Sequence, residues 1–389
     1  MVHIPQGYRF AAVAAGFKRQ DRLDLGLAVS DAPATAAAVF TTNKFQAAPV
    51  LVAKDILEKK TTTRAVMINA GQANACTGDE GLKNCRETLD LAAKALGCAP
   101  EDILPASTGV IGKQMDMQRW REVIPDLAAG LGKVGPIEFA RAIMTTDAFP
   151  KIASAEVRGA RVFGVCKGAG MICPNMATML GVVFCDARVE PELWRRLIRE
   201  AADLSFNRIT VDGDTSTNDT VYGLANGASG VVFDEENAED LSMALIEVCQ
   251  KLASLIVEDA EGGTKILRIV VQGAQDDAQA ELAGRTVGNS PLVKTAFYGK
   301  DANWGRIVAA LGRSGADFDP NQVSVSIAGV QVFKDGMPVN IDFDSLLKPA
   351  LRRGEVDVEI VLGEGQGVYS LLASDLTHEY VSVNADYRT

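Results

Sequence analysis

Thr178 follows KGAGMICPNMA (167–177), where glycines, a proline and an asparagine break regular structure just before the apolar run MLGVVF (179–184). A threonine in that place has two readings. It is either a core threonine opening a buried strand behind a turn, or an amino-terminal nucleophile. In the second chemistry its hydroxyl attacks the preceding carbonyl, that of Ala177. The peptide shifts to an ester and hydrolyses, and Thr178 becomes a new chain start. Its freed α-amine, with an ordinary pKa near ~8, takes the hydroxyl proton without any histidine. The chain holds only His3 and His378, so a Ser-His-Asp or Cys-His hydrolase would have to use His378. Too few histidines remain for a multi-histidine zinc site.

Other patterns fail as nucleotide or metal sites. Gly168-Ala169-Gly170 would need glycine or alanine at 173 to complete a dinucleotide fingerprint, and Cys173 stands there. Gly112-Lys113 is followed by Gln114, not the Ser or Thr of a phosphate loop. Asp212, Asp214 and Ser216 alternate as calcium ligands do, but Thr217 replaces the required glycine, so DGDTSTND (212–219) reads as a hydrogen-bonded polar turn. ASTGVIG (106–112) joins hydroxyls to a glycine whose N–H could meet a reacting oxygen, but on its own it reads as an ordinary turn.

The elements that must position these residues interleave helices and strands, which argues for an α/β or α+β chain. Helical spacing marks 82–96, 191–206 and 240–257. Strands are expected at 65–69, 160–167, 266–273, 323–333 and 356–362. The glycines of DAEGGTK (259–265) mark the expected boundary between a larger first domain and a smaller second one. With 389 residues, two domains are the expectation. An apolar fraction of 47% with 23% charged residues describes a folded globular protein. The net charge of −11 disfavours nucleic acid and anionic membranes as partners. No apolar run approaches transmembrane length, and the first residues lack a signal peptide's pattern, so the expected address is cytoplasmic. The seven cysteines are scattered, form no C-x-x-C pair and read as reduced and mostly buried.

Taken together, these segments resemble the ornithine acetyltransferase (glutamate N-acetyltransferase) family of arginine biosynthesis, nearly end to end. That family's cleavage motif reads K-G-S-G-M-I-H-P-N-M-A-T-M-L. Residues 167–180 match it except for Ala169 and Cys173. Further matches include VSDAPATAAAVFTTNKFQAAPV (29–50), QANACTG (72–78), ASTGVIG (106–112) and TTDAFPK (145–151). FNRITVDGDTSTNDT (206–220), EGGTK (261–265), SPLVKTAFYGKDANWGR (290–306) and NADYRT (384–389) follow in order.

The resemblance implies self-cleavage between Ala177 and Thr178 into an α chain (1–177) and a β chain (from 178), with two of each in a heterotetramer. It implies that Thr178 accepts acetyl from N2-acetyl-L-ornithine and passes it to L-glutamate in a ping-pong cycle, with no cofactor and no metal. Acetyl-CoA is an alternative donor that would add N-acetylglutamate synthase activity. Thr108 and Gly109 match the family's oxyanion pair. Substrate binding carries over to one of Thr145 and Thr146, with Thr146 favoured, and to Lys167, Thr178, Glu261, Asn384 and Thr389. Read alone, Lys167 and Glu261 are as readily solvated charges, and Asn384 and Thr389 a frayed tail. The implied fold is a layered α/β/β/α sandwich over 1–260, followed by a smaller α/β domain over 261–389. Two competing readings are an aminopeptidase or amidase that uses water as acceptor, and a binding protein without turnover. Cys173 in the loop reads as a packed filler or a reactive thiol, and with Ala169 it puts the rate of cleavage in question.

Overall fold

The computed structural model describes residues 2–18, 21–173 and 179–386. They form two compact units. The first takes the chain up to Asn207 together with Asp214–Ile256, and the second takes Arg208–Gly213 and the chain from Val257 onward. The boundary expected from the sequence lies at 260/261. The units part instead within the last turn of the helix Ala238–Glu258. The segment 208–213, expected in the first domain, belongs to the second because Ile209–Thr210 pairs in parallel with the strand Gly367–Ser374.

The first unit is built on an eight-stranded sheet. Its order runs Ile103–Val110, Thr62–Gln72, Leu25–Phe40, Thr220–Ala225, Leu180–Cys185, Ala160–Lys167 and Lys151–Val157, with Tyr8–Val13 also paired to Leu25–Phe40. The two central strands Leu180–Cys185 and Thr220–Ala225 are buried at every position and run parallel. This double burial explains why LGVVFC is a continuous apolar run and not an alternating one.

Helices cover the sheet, as the α/β class expected from the sequence requires. On the helix Pro191–Asp203, Leu193, Trp194, Leu197 and Ile198 are buried at helical spacing, each contributing roughly 2 kcal/mol of apolar burial. Gly223 admits this helix to the sheet, because a Cβ there would lie 2.5 Å from Ile198 Cδ1. Phe184 anchors the core, edge-on to Phe10 at 5.5 Å between ring centres.

The second unit holds a seven-stranded sheet whose centre is Ser324–Ile327, Glu355–Val361, Ile266–Ala274 and Gly367–Ser374. Glu355–Val361 alternates exposed and buried residues with period two, burying Val356, Val358 and Ile360. The expected single strand 323–333 is a hairpin, Ser324–Ile327 and Val330–Lys334. Ala328 (φ 48°) and Gly329 (φ 78°) both take the left-handed backbone of a two-residue hairpin turn, which the alternating sequence hides. Among the described residues, no helix is long and apolar enough to cross a membrane.

Candidate active site

Thr108 and Gly109 lie at the end of the strand Ile103–Val110, not in a free turn. This edge strand runs parallel to Thr62–Gln72, and the pairing slips at Gly71–Gln72, where Gln72 faces both Thr108 and Val110. Gly109 has φ 126°, and a Cβ on it would stand 2.4 Å from the carbonyl carbon of Gly71. Only glycine fits that approach.

A buried polar network fixes the irregular stretch. Ser107 Oγ donates to Asn69 Oδ1 at 2.6 Å, and Asn69 Nδ2 donates to the Gln72 carbonyl at 3.0 Å. Asn218, from the polar segment considered for calcium, donates its amide to the carbonyls of both Ala73 (2.6 Å) and Ser107 (2.8 Å). The side chain ties the two strands together beside Thr108, so that segment serves as a brace.

Lys167 ends the strand Ala160–Lys167, and its ammonium donates to Thr108 Oγ1 at 3.1 Å and to Thr145 Oγ1 at 3.0 Å. A hydroxyl that accepts from an ammonium keeps its own proton to donate elsewhere, and its O–H is polarised by the cation. Thr108 is thereby prepared as a donor. Of the adjacent threonines, Thr145 carries the hydroxyl on Lys167, while Thr146 is half-buried beside it.

Asp147 organises the site from beneath. It forms a fully buried ion pair with Lys151, Oδ1 to Nζ 2.7 Å, and the same oxygen accepts from the Gly168 N–H at 2.7 Å. Its other oxygen accepts from the Thr145 N–H at 2.8 Å. Burial would raise the Asp147 pKa, but the charges of Lys151 and Lys167 and these hydrogen bonds outweigh it and lower it to about 2. The carboxylate therefore stays ionised and joins the Thr145 turn to the first residue after Lys167.

A further cation, Lys18, which no functional motif singles out, reaches this region. Its ammonium donates to the carbonyl of Met144, the residue before Thr145. Burial first, then the charges of Lys167 and Arg22, lower its pKa to about 8, against the opposing pull of Asp24 and Asp147. AVAAG (12–16), which is also similar to the family's sequence, stops two residues before Lys18 and assigns it no role. Asp147 lies inside the matched TTDAFPK segment but carries no assigned role there.

The expected cleavage point, Ala177–Thr178, lies outside the described residues, as does Thr389. The chain on either side is described. Leu180 is the cross-strand partner of Lys167, so the strand after the expected cleavage point begins opposite that lysine. Ala169 and Cys173, the two departures from the family motif, are both buried. The Cys173 carbonyl accepts from Thr215 Oγ1 at 3.3 Å. In the second unit, Asn384 Nδ2 donates to Glu261 Oε2 at 2.8 Å, bringing together two residues that the resemblance pairs with substrate.

The model of the ArgJ family matches residues 9–389. An "Arginine biosynthesis bifunctional protein ArgJ" from Nitratidesulfovibrio vulgaris is 61% identical over 389 residues, covering 99% of both chains. One of the same name from Geobacter sulfurreducens is 49% identical, again covering 99% of both. A crystal structure of the arginine biosynthesis bifunctional protein argJ from Bacillus halodurans, 35% identical with a TM-score of 0.51, matches over 100% of its chain and 54% of this one. The ornithine acetyltransferase family that the motifs resemble is this one: the chain belongs to the ArgJ family.

Proposed function

We propose that this arginine-biosynthesis enzyme cleaves itself between Ala177 and Thr178 and then transfers acetyl from N2-acetyl-L-ornithine to L-glutamate through acetyl-Thr178. The observation that carries this reading is the contact of Lys167 with Thr108 beside Gly109, at the mouth of the loop that holds the cleavage motif. The Thr178 hydroxyl attacks the acetyl carbonyl while its own α-amine takes the proton. The Thr108 hydroxyl and the Gly109 N–H hold the tetrahedral oxyanion. Collapse breaks the amide C–N bond, the proton passes to the departing amine of ornithine, and glutamate's amine reverses the sequence on the ester. An amide is exchanged for an amide, so the reaction stays near energetic balance and needs no cofactor.

Lys167 suits the substrate α-carboxylate, with Thr145 or Thr146, and Glu261 an amine, with Asn384 and Thr389 supporting it. The names of the relatives, bifunctional, support acetyl-CoA as a second donor. A cut at 177/178 divides this sequence in nearly the proportion that the matched Bacillus halodurans chain spans, which supports the cleavage. The assembly we propose is a cytoplasmic heterotetramer of two α and two β chains.

The test is an intact-mass measurement with an acetyl-transfer assay. Fragments 1–177 and 178–389 are expected, together with a Thr178→Ala variant that stays in one piece and transfers nothing. Release of free acetate in place of N-acetylglutamate would favour the amidase reading. An uncleaved wild type that transfers acetyl would overturn the proposed nucleophile.

A further inference from the structure

We propose that Lys18 is a second substrate-binding cation of this site, one that holds the side-chain carboxylate of the glutamate acceptor. The proposal rests on the acetyl-transfer reading above and adds to it a residue that decides between the two substrates.

The first support is how Lys18 is held. Asp24, fully buried, accepts the backbone N–H groups of Ala15 (2.6 Å), Phe17 (2.6 Å) and Lys18 (3.0 Å), so its carboxylate folds the turn that presents the lysine. Phe17 is pinned in turn by stacking on the buried Trp120 at 4.9 Å. Gly71, with φ 111°, leaves room for this turn, since a Cβ there would lie 2.8 Å from the Phe17 carbonyl oxygen and 3.0 Å from Lys18 Cγ. A lysine that merely sat on the surface would need none of this.

The second support is where the side chain goes. Its stem lies on Gly71, the residue whose backbone abuts Gly109, and its ammonium reaches Met144, next to Thr145. Thr145 and Thr108 both receive Lys167. Lys18, Met144, Thr145, Lys167, Thr108, Gly109 and Gly71 thus form one chain of neighbours that includes the candidate oxyanion donors, and Lys18 is a cation in it to which the family resemblance assigns no role.

The third support is charge. Lys18, Arg22, Lys151 and Lys167 act on this region against the two carboxylates Asp24 and Asp147. Both carboxylates are already engaged, one by three backbone N–H groups and the other by Lys151, Gly168 and Thr145. The region is therefore cationic. Glutamate carries one more negative charge than acetylornithine, whose α-amine is masked and whose side chain is an ammonium. A second cation beside Lys167 favours the dicarboxylate and disfavours the ammonium.

The groups facing Lys18 also fix the pH dependence. Its pKa of about 8 reflects burial first and then Lys167 and Arg22, opposed by Asp24 and Asp147. A bound carboxylate raises it, so the affinity for glutamate is full below about pH 8 and is lost as the pH rises through that value. Arginine at the same place would keep its charge.

The experiment is two-substrate kinetics of the cleaved wild type, Lys18→Met and Lys18→Arg between pH 6.5 and 9.5. Lys18→Met should raise the KM for glutamate roughly tenfold or more, at least about fivefold further than the KM for acetylornithine. Lys18→Arg should restore most of that loss and flatten the alkaline rise in the glutamate KM. A purely structural role at the end of the helix Pro136–Ile143 would move both KM values together or neither, and either result overturns the proposal. If Lys18→Met does not fold, Lys18→Arg still decides, since an unchanged alkaline rise overturns it and a flattened one supports it. A wild type that moves no acetyl between the two amino acids would overturn the functional reading and this inference with it. Normal wild-type turnover with an unchanged substrate preference in both variants would overturn this inference alone.

Discussion

The ammonium of Lys167 stands 3.1 Å from the hydroxyl oxygen of Thr108, so one residue joins the strand that leads into the loop of the proposed cleavage to the strand that carries Thr108 and Gly109. The pairing sets the direction of the Thr108 proton, because the lone pair facing Lys167 is already in use. Thr108→Ala should lower kcat by roughly a hundredfold or more while changing KM less, as expected of a donor acting mainly in the transition state. Steady-state kinetics would show it, and an unchanged kcat would remove Thr108 from the mechanism.

Gly109 makes a separate demand. Alanine there would carry a Cβ into the backbone of Gly71 at 2.4 Å and would have to hold φ 126°. Strain and overpacking together should destabilise the protein by about 2–5 kcal/mol, read as a lower urea midpoint. A midpoint within error of the wild type would mean that the strands part freely.

The Asp147–Lys151 pair predicts an acid limb. Asp147 has its pKa lowered to about 2, below its unfolded value near ~3.9. Its contribution to stability is therefore full above about pH 4 and is lost as the pH falls toward 2. Asp147→Asn should cost roughly 3–5 kcal/mol at neutral pH by leaving Lys151 buried without its countercharge. It should also flatten the fall in stability between pH 4 and 2. Urea unfolding across that range compares the two proteins, and parallel curves would deny Asp147 the role.

If the proposed cleavage frees the α-amine of Thr178 as the base, the acetylation rate should show a basic limb rising through the region of that amine's reference pKa near ~8. The double variant His3→Gln with His378→Gln removes both histidines and should keep that limb unchanged. Single-turnover acetylation that lost its pH dependence in this variant would assign the base to histidine.

The sequence carried the strands and the chemistry unevenly. LGVVFC, ILRIVVQG and VDVEIVL declared themselves by burial pattern, because buried strands leave few alternatives to β-branched and apolar residues. VSVSIAGVQVF concealed a hairpin, since alanine and glycine fit an alternating strand as easily as a left-handed turn. Thr108, Gly109 and Lys167 were legible only as parts of motifs; what joins them is a side-chain hydrogen bond from Lys167 to Thr108 between distant segments, which no local spacing records. Lys18 carried no role in any motif. Its position depends on Asp24 gathering three backbone N–H groups, and an aspartate six residues after a lysine is commonplace.

The strand order has a consequence for how the molecule comes apart. Thr220–Ala225 and Leu180–Cys185 lie side by side in the sheet, flanked by Leu25–Phe40 on one side and Ala160–Lys167 on the other. A cut at 177/178 would thus leave two strands of the later piece inserted between strands of the earlier one. Neither piece could leave without opening two hydrogen-bonded seams at once and exposing raw edges on both. Before the cut, folding is the affair of one chain and independent of dilution. After such a cut the same sheet would be held by two molecules, and recovery from the unfolded state would become second order in protein.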